Sequence, residues 1–151
     1  MKRRGSESRH AARGLDQGEL AGLVGYRLRR AQQALFRDFA ASIPDLSPGR
    51  AGLLMLIEAN PGVTQSLLAQ AMSLDRSTMV GVLDALEARG WLERRKGRDR
   101  RTNGLWLTRA GRTLLFRVKR RIADHEARVT GRLTSAERSR LLALLGKLCP
   151  E

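Results

Sequence analysis

The stretch "LLAQAMSLDRSTMVGVLDALEARGWLERR", residues 67–95, carries the pattern that decides the fold. A short helix starting near Thr64 is followed, after only a few residues, by a second helix for which Asp75 is the predicted N-cap. Gly90 then provides a natural helix stop. Two short helices joined by a tight turn predict a helix-turn-helix, although many helical proteins contain such a corner.

The segment after this corner predicts a β-hairpin. The pieces "WLERR" (91–95) and "GLWL" (104–107) resemble strands, and the turn-forming residues Gly97, Asp99 and Asn103 lie between them. Leu105 and Leu107 alternate with a tryptophan, which predicts one packed face. A hairpin directly after a helix-turn-helix predicts a winged helix.

Longer helices are predicted on both sides of the winged helix. A helix over residues 16–42 is predicted from a stripe of apolar residues at steps of three and four: Leu20, Val24, Leu28, Ala31, Leu35 and Phe39. Ser47 is a predicted cap for the next, apolar helix, and Thr108 for a long helix after the wing. Thr134 and Glu137 predict a capping box for a last, leucine-rich helix. The fold class is therefore mainly α with a small β-hairpin wing.

The charge of the chain points to a polyanionic partner. Its 29 Lys and Arg against 15 Asp and Glu give a formal net charge of +14. A surface this basic attracts nucleic acid or an anionic membrane, the alternative being a surface that only confers solubility. Aromatic residues are scarce, at 4%, so there is no platform for stacking bases and RNA is the less favoured nucleic acid.

Several classes of protein are not supported by the residues present. One cysteine, Cys149, and two histidines give no spacing that suits a structural metal, and no cofactor motif is found. Asp124, His125 and Glu126 are adjacent, so a helix points them in different directions, and no catalytic residues are predicted. Without a membrane-spanning run or a secretory signal, the expected location is the cytoplasm.

The chain resembles the MarR family of bacterial transcription regulators. The matching segments are "LSPGRAGLLMLI" (46–57), the stretch quoted first, and "DRRTNGLWLTRAG" (99–111), which ends in the Leu-Thr-x-x-Gly pattern of the family's dimerisation helix. The resemblance spans roughly residues 18–148. It implies a cytoplasmic homodimer, nucleoid-associated when bound, on a pseudo-palindromic double-stranded DNA operator. It divides the chain into a disordered basic arm (1–15), an N-terminal dimerisation helix (16–46), the winged helix-turn-helix (47–107) and C-terminal dimerisation helices (108–151).

The resemblance also implies which residues meet DNA. The second helix of the corner would lie in the major groove and the wing in the minor groove. Arg101 at the wing tip is the predicted minor-groove residue, and Asp99 a brace that pairs with a neighbouring arginine. The recognition-helix candidates are Arg76, Ser77, Thr78, Val80 and Gly81; the other wing candidates, for phosphates, are Arg94, Arg95, Lys96, Arg98 and Arg100. Ser77 and Thr78 are equally suited to capping their helix.

Many family members bind a small aromatic or anionic effector, and some respond to aryl-CoA thioesters. The candidate pocket residues here are Tyr26, Arg30, Phe36, Met55 and Trp106, although each is equally an ordinary core or surface residue. A thiol switch is not expected, because the family's hydroperoxide sensors carry a cysteine in the N-terminal helix and this chain has none there. The alternative to a regulator is a nonspecific architectural DNA-binding protein with the same charge and wing.

Overall fold

The computed structural model describes residues 15–96 and 103–148, and the following elements lie within those ranges. A 3-10 helix, Gly18–Gly22, precedes six α-helices: α1 (Val24–Ser42), α2 (Pro48–Ala59), α3 (Gln65–Ala71), α4 (Arg76–Ala88), α5 (Arg109–Thr130) and α6 (Ser135–Leu148). Three strands, β1 (Val63–Thr64), β2 (Leu92–Lys96) and β3 (Asn103–Leu107), form one antiparallel sheet in the order β1-β3-β2. The predicted mainly α fold with a β-hairpin wing is confirmed.

The first compact unit of the chain ends at Ala34, and its described part starts at Leu15. The single helix predicted over 16–42 is wrong in this region, because extended backbone at Leu23 separates the 3-10 helix from α1. Glycines favour the break: Gly18 has a φ of +48°, and two more follow at positions 22 and 25. The Arg27 side chain donates to the Ala21 carbonyl (2.7 Å), which satisfies a group that a continuous helix would bond internally.

The second unit, residues 35–151, contains the hydrophobic core. Its described helices begin where short side chains predicted them to begin. Ser47, Thr64, Asp75 and Thr108 each accept a hydrogen bond from a backbone N–H in the first turn of the next helix. The Thr134 backbone N–H donates to the Glu137 carboxylate (2.8 Å) and the Glu137 backbone N–H donates to the Thr134 hydroxyl (3.3 Å), so the predicted capping box is confirmed.

The core is built mainly of leucine and lies between α2, α4, α5 and the sheet. Leu54, Met79, Leu83 and Leu115 have no exposed surface. Leu105 and Leu107 on β3 are buried and Trp106 between them is half-buried, as the alternation predicted. By contrast, α6 contributes no buried residue. The last helix therefore does not close the core of this chain.

A polar network joins the C-terminal half of α1 to α5. Asp38 Oδ1 lies 2.7 Å from Nδ1 of the buried His125 and accepts a hydrogen bond from Arg128 (2.8 Å), which also donates to Ser42. The hydrogen bonds from Arg128 and then from His125 lower the pKa of Asp38 to about 2. Because His125 points inward while Asp124 and Glu126 are exposed, these three neighbours do not converge on one site.

None of the helices within residues 15–96 and 103–148 is both long enough and apolar enough to span a membrane.

Candidate nucleic-acid interface

The α4 helix presents one face to the core and the opposite face to solvent. Met79, Leu83 and Leu86 are buried, and they recur at the three- and four-residue steps that place them on one side. The five predicted recognition residues are all exposed: Arg76, Ser77, Thr78, Val80 and Gly81. Their placement leaves these side chains available for a groove, and their roles stay predictions.

The N-terminus of α4 is organised by Asp75. Its carboxylate accepts from the Thr78 backbone N–H (2.8 Å) and from the hydroxyls of Ser77 and Thr78 (2.5 Å each). These hydrogen bonds, led by that from Ser77, hold the pKa of Asp75 well below its usual range. Both hydroxyl protons are therefore engaged within the protein. The residue of this turn whose side chain is best placed to donate outward is Arg76.

The middle of α4 offers space rather than hydrogen bonds. No heavy atom lies within 4 Å of the position that a Cβ on Gly81 would occupy. Val80 beside it exposes 37% of its surface. A bare backbone and a small apolar side chain suit close approach and contact with a thymine methyl group. Neither side chain can read a base by a hydrogen bond.

The two wing strands carry different chemistry on their two faces. Pairing of Leu92 with Leu107 and of Arg94 with Leu105 places these four residues on the face toward the helices. On the outer face, the Arg95 guanidinium lies 5.7 Å from the centre of the Trp106 ring and forms an ion pair with Glu93. The outer face is thus an aromatic and charged layer, which is held together by a cation–π contact and an ion pair and not by packing in the core.

The third strand, β1, was not predicted. Its Val63 pairs with Leu105, and Trp106 packs so closely over the turn before β1 that a Cβ on Gly62 would lie 2.8 Å from the indole ring. A Cβ on Gly104 would lie 2.4 Å from the same ring and 2.8 Å from the Gly62 carbonyl oxygen. Glycine at both positions therefore lets the indole ring pack directly against the backbone of Gly62 and Gly104.

Arg94 is held by two carboxylates of α4. One guanidinium nitrogen bonds Asp84 Oδ1 (2.6 Å), the other pairs with Glu87 Oε2, and the Arg94 backbone N–H donates to Glu87 Oε1 (3.2 Å). Only 24% of the Arg94 side chain is exposed. Neither acid was singled out in the sequence. The available signal was their i, i+3 spacing on α4, which predicts that both lie on one side of that helix.

Lys96 lies two residues beyond Arg94 on the same face of β2 and is exposed. Within residues 15–96 and 103–148, no carboxylate lies at ion-pair distance from its amine. The rest of the wing prediction, namely Arg98, Asp99, Arg100 and Arg101, lies outside the described residues.

A cavity of about 250 Å³ lies where α3, α4 and the wing meet. Its polar lining is contributed by Thr64, Gln65, Ser66, Arg76, Arg94 and Asn103. None of the five predicted effector-pocket residues lines this cavity. It is instead a polar recess between the two elements that were predicted to touch DNA.

The predicted effector-pocket residues fall in different parts of the chain. In the first unit, Arg29 and Arg30 stack over the half-buried Tyr26 at 5.6 and 5.9 Å from its ring centre. In the second unit, Phe36 exposes 47% and Met55 exposes 38% of its surface, whereas Trp106 is occupied in the wing. Their assignment to a pocket stays a prediction.

A helix-turn-helix followed directly by the β2–β3 hairpin, with β1 ahead of α3 completing the sheet, defines the chain as a winged helix-turn-helix protein. The model of the MarR family matches residues 45–102. A transcriptional regulatory protein for the hcr operon of Thauera aromatica is 38% identical over 151 residues, which cover 97% of this chain and 91% of that protein. The chain belongs to the MarR family of transcriptional regulators.

Solved structures extend the similarity over the fold. The transcriptional repressor CouR bound to a 23-mer DNA duplex is 39% identical, with a TM-score of 0.85 over 90% of this chain and 99% of that chain. CouR bound to p-coumaroyl-CoA is 38% identical, with a TM-score of 0.84 over 91% of this chain and 99% of that chain.

Proposed function

We propose that the protein is a homodimeric transcriptional repressor that binds a pseudo-palindromic DNA operator and is released by an aryl-CoA thioester. The observation that carries the proposal is the shared position of the exposed face of α4 and the inner face of β2, which meet at a polar recess containing Arg76 and Arg94. The similarity to CouR, solved with a DNA duplex, supports the same use of this surface.

The proposed dimer forms through the ends of the chain. α6 exposes Leu141, Leu142, Leu144 and Leu148 by 43–56%, and no residue of that helix is buried. Leucines left in water along one helix indicate a surface that a partner covers, and a two-fold axis makes the same patch complementary to itself. We therefore assign residues 16–46 and 108–151 to dimerisation and residues 47–107 to DNA binding.

In the proposed complex, α4 enters the major groove and the wing follows the adjacent minor groove. Arg76 reaches a guanine or a phosphate, while Ser77 and Thr78 offer oxygen lone pairs because Asp75 holds their protons. Since Val80 and Gly81 provide no hydrogen bonds, groove shape and phosphate contacts contribute much of the selectivity.

The wing supplies the minor-groove contact. Arg101 is the proposed inserted residue, braced by Asp99, because a narrow A·T-rich minor groove concentrates negative potential. The proposed phosphate contacts of one subunit are Arg76, Arg95, Lys96, Arg98 and Arg100. About ten contacts per dimer give a slope of log affinity against log salt near −9.

The proposed effector is of the class represented by p-coumaroyl-CoA, with which CouR has been solved. A ligand that prefers a subunit spacing unsuited to two successive grooves would release DNA by population shift. Arg29 and Arg30, stacked on Tyr26, supply cations for a phosphate and an aromatic surface in the first unit of the chain. Phe36, Met55 and Trp106 remain proposed lining residues.

The proposed function is tested by selecting an operator from a random DNA pool and comparing its affinity with that of random duplex at physiological salt. A regulator should show a ratio above about a thousand. A ratio near one would instead support a nonspecific architectural protein, which the charge of +14 also allows. Arg101→Ala should weaken the A·T-rich operator more than random duplex. An equal loss of affinity for both duplexes would indicate that Arg101 only contacts a phosphate.

The proposed effector class is tested in the same binding assay with p-coumaroyl-CoA and free CoA as probes. Release by the thioester and not by CoA would support the proposed ligand class. Release by neither, from an operator bound with high selectivity, would overturn the effector and leave the DNA-binding function intact.

A further inference from the structure

We propose that Arg94 is a positioning residue that ties the wing to the recognition helix, and not one of the residues that contact phosphate. The arrangement of Arg94, Asp84 and Glu87 is called the wing clamp below. The inference rests on the proposed function, since it concerns the geometry with which two elements address DNA. It assigns a role to two acidic residues on a helix that faces a polyanion.

The geometry of the wing clamp uses the forked shape of a guanidinium. Each terminal nitrogen of Arg94 bonds a different carboxylate of α4, and the Arg94 backbone N–H donates to Glu87 Oε1 at 3.2 Å. Glu87 thereby holds both the side chain and the main chain of β2. Two attachment points on the strand, rather than one on a flexible side chain, fix the distance and the angle between β2 and α4.

The charges of the wing clamp explain why it is needed. Asp84 exposes 58% of its side chain on the helix proposed to enter the major groove, and Glu87 exposes 37%. Unpaired carboxylates there would repel phosphate. Arg94 offsets them, and its 24% exposure leaves less of it for a second anion. The clamp occupies one N–H on each terminal nitrogen, so a phosphate that approached the remaining N–H groups would lie beside two carboxylates that repel it.

Lys96 provides the matched control within the same strand. It shares the inner face of β2 with Arg94, carries the same charge and is exposed. Within the part of the chain that the structure describes, it has no ion-pair partner. Replacing either residue by glutamine removes one positive charge, so a difference between the two variants reports position and pairing and not net charge.

The experiment measures affinity for the selected operator and for random duplex over a range of salt, using four variants of the full chain. For Lys96→Gln, we expect the salt slope to become shallower by about 2 per dimer while the operator preference is retained. For Arg94→Gln, we expect the ratio of operator affinity to random-duplex affinity to fall about tenfold, because β2 is no longer held at a fixed distance and angle to α4.

The two remaining variants separate the wing clamp from a phosphate contact. Arg94→Lys keeps the charge but loses the fork, so the ratio should fall as in Arg94→Gln. Glu87→Gln removes a negative charge from a DNA-facing helix, yet should also lower the ratio. A phosphate contact predicts the opposite results: Arg94→Lys would behave like the parent protein, and Glu87→Gln would tighten binding to both duplexes.

A readout without DNA tests the wing clamp separately from the proposed function. Amide hydrogen exchange of the free protein should show faster exchange at the Arg94 backbone N–H in Glu87→Gln and in Arg94→Lys, with β3 unaffected in Lys96→Gln. Faster exchange without any operator preference in the parent protein would uphold the wing clamp and overturn the proposed repressor. Unchanged exchange in both clamp variants would overturn the wing clamp itself.

Discussion

Replacing Gly111 by alanine should destabilise the protein by breaking the junction between the wing and α5. Gly111 lies in the first turn of α5, where its backbone N–H donates to the Thr108 hydroxyl (3.0 Å). The Thr108 hydroxyl donates to the Gly90 carbonyl (2.6 Å), and the Thr108 backbone N–H donates to the Trp91 carbonyl (3.1 Å). Two of these three hydrogen bonds therefore join the start of α5 to the chain that enters β2.

The magnitude follows from the space available. A Cβ on Gly111 would lie 1.9 Å from the Trp91 carbonyl oxygen and 2.8 Å from its carbon. Ordinary contact needs about 3.5 Å, so backbone must move by about 1.6 Å. Overpacking costs about 1–3 kcal/mol, and losing one or two hydrogen bonds adds about 1 kcal/mol each. The better helix propensity of alanine offsets about 1 kcal/mol. The net destabilisation is about 3 kcal/mol.

For a chain of this length, about 3 kcal/mol lowers Tm by about 6–12 °C. Thermal unfolding followed by circular dichroism at one fixed protein concentration measures the change. Gly52→Ala in α2 is the control, because no heavy atom lies within 4 Å of its Cβ and the substitution should raise Tm slightly. If Gly111→Ala melted within about 2 °C of the parent protein while Gly52→Ala behaved as expected, the steric argument would fail.

Three further outcomes are expected. Gly104→Ala should lower Tm by a few degrees and change the indole fluorescence, because its Cβ meets Trp106 and the Gly62 carbonyl; an unchanged spectrum would contradict the packing. Asp38 has a folded pKa of about 2, below its ordinary value of 3.8, so its contribution to stability is complete above about pH 4 and is lost as pH falls toward 2. Asp38→Asn should therefore lower Tm at pH 6 and converge with the parent at pH 2; a constant difference would refute this linkage. Leu144→Glu should dissociate the proposed dimer in analytical ultracentrifugation, and an unchanged sedimentation coefficient would place the interface elsewhere.

The features predicted correctly from the sequence depend on local interactions. Asp75 caps α4 through a hydrogen bond to a residue three positions away, and Thr108 does the same for α5. Strand alternation at Leu105 and Leu107 is equally local. Such signals involve neighbours along the chain, so the sequence contains nearly all the information that they need.

The features that were missed depend on residues distant in sequence or on competition between weak preferences. β1 is only two residues long, and it becomes a strand because Val63 pairs with Leu105, which follows more than forty residues later. The apolar stripe of residues 16–42 favoured one helix, but glycines at 18 and 22 weakened it enough for a break at Leu23. Apolar periodicity reports burial and does not report where a helix is interrupted.

Fewer of the basic residues of the wing are free to attract DNA than their number in the sequence suggests. At the base of the wing, Arg94 pairs with Asp84 and Glu87, and Arg95 pairs with Glu93. In this part of the wing, two cations are therefore paired with three carboxylates. Attraction to phosphate then depends on side chains outside these pairs, such as Lys96 and Arg76, and on the release of Arg95 from Glu93 when DNA binds. A salt slope clearly shallower than −9 would mean that Arg95 too stays with its carboxylate when DNA binds, because each retained pair removes about 2 from the slope of a dimer.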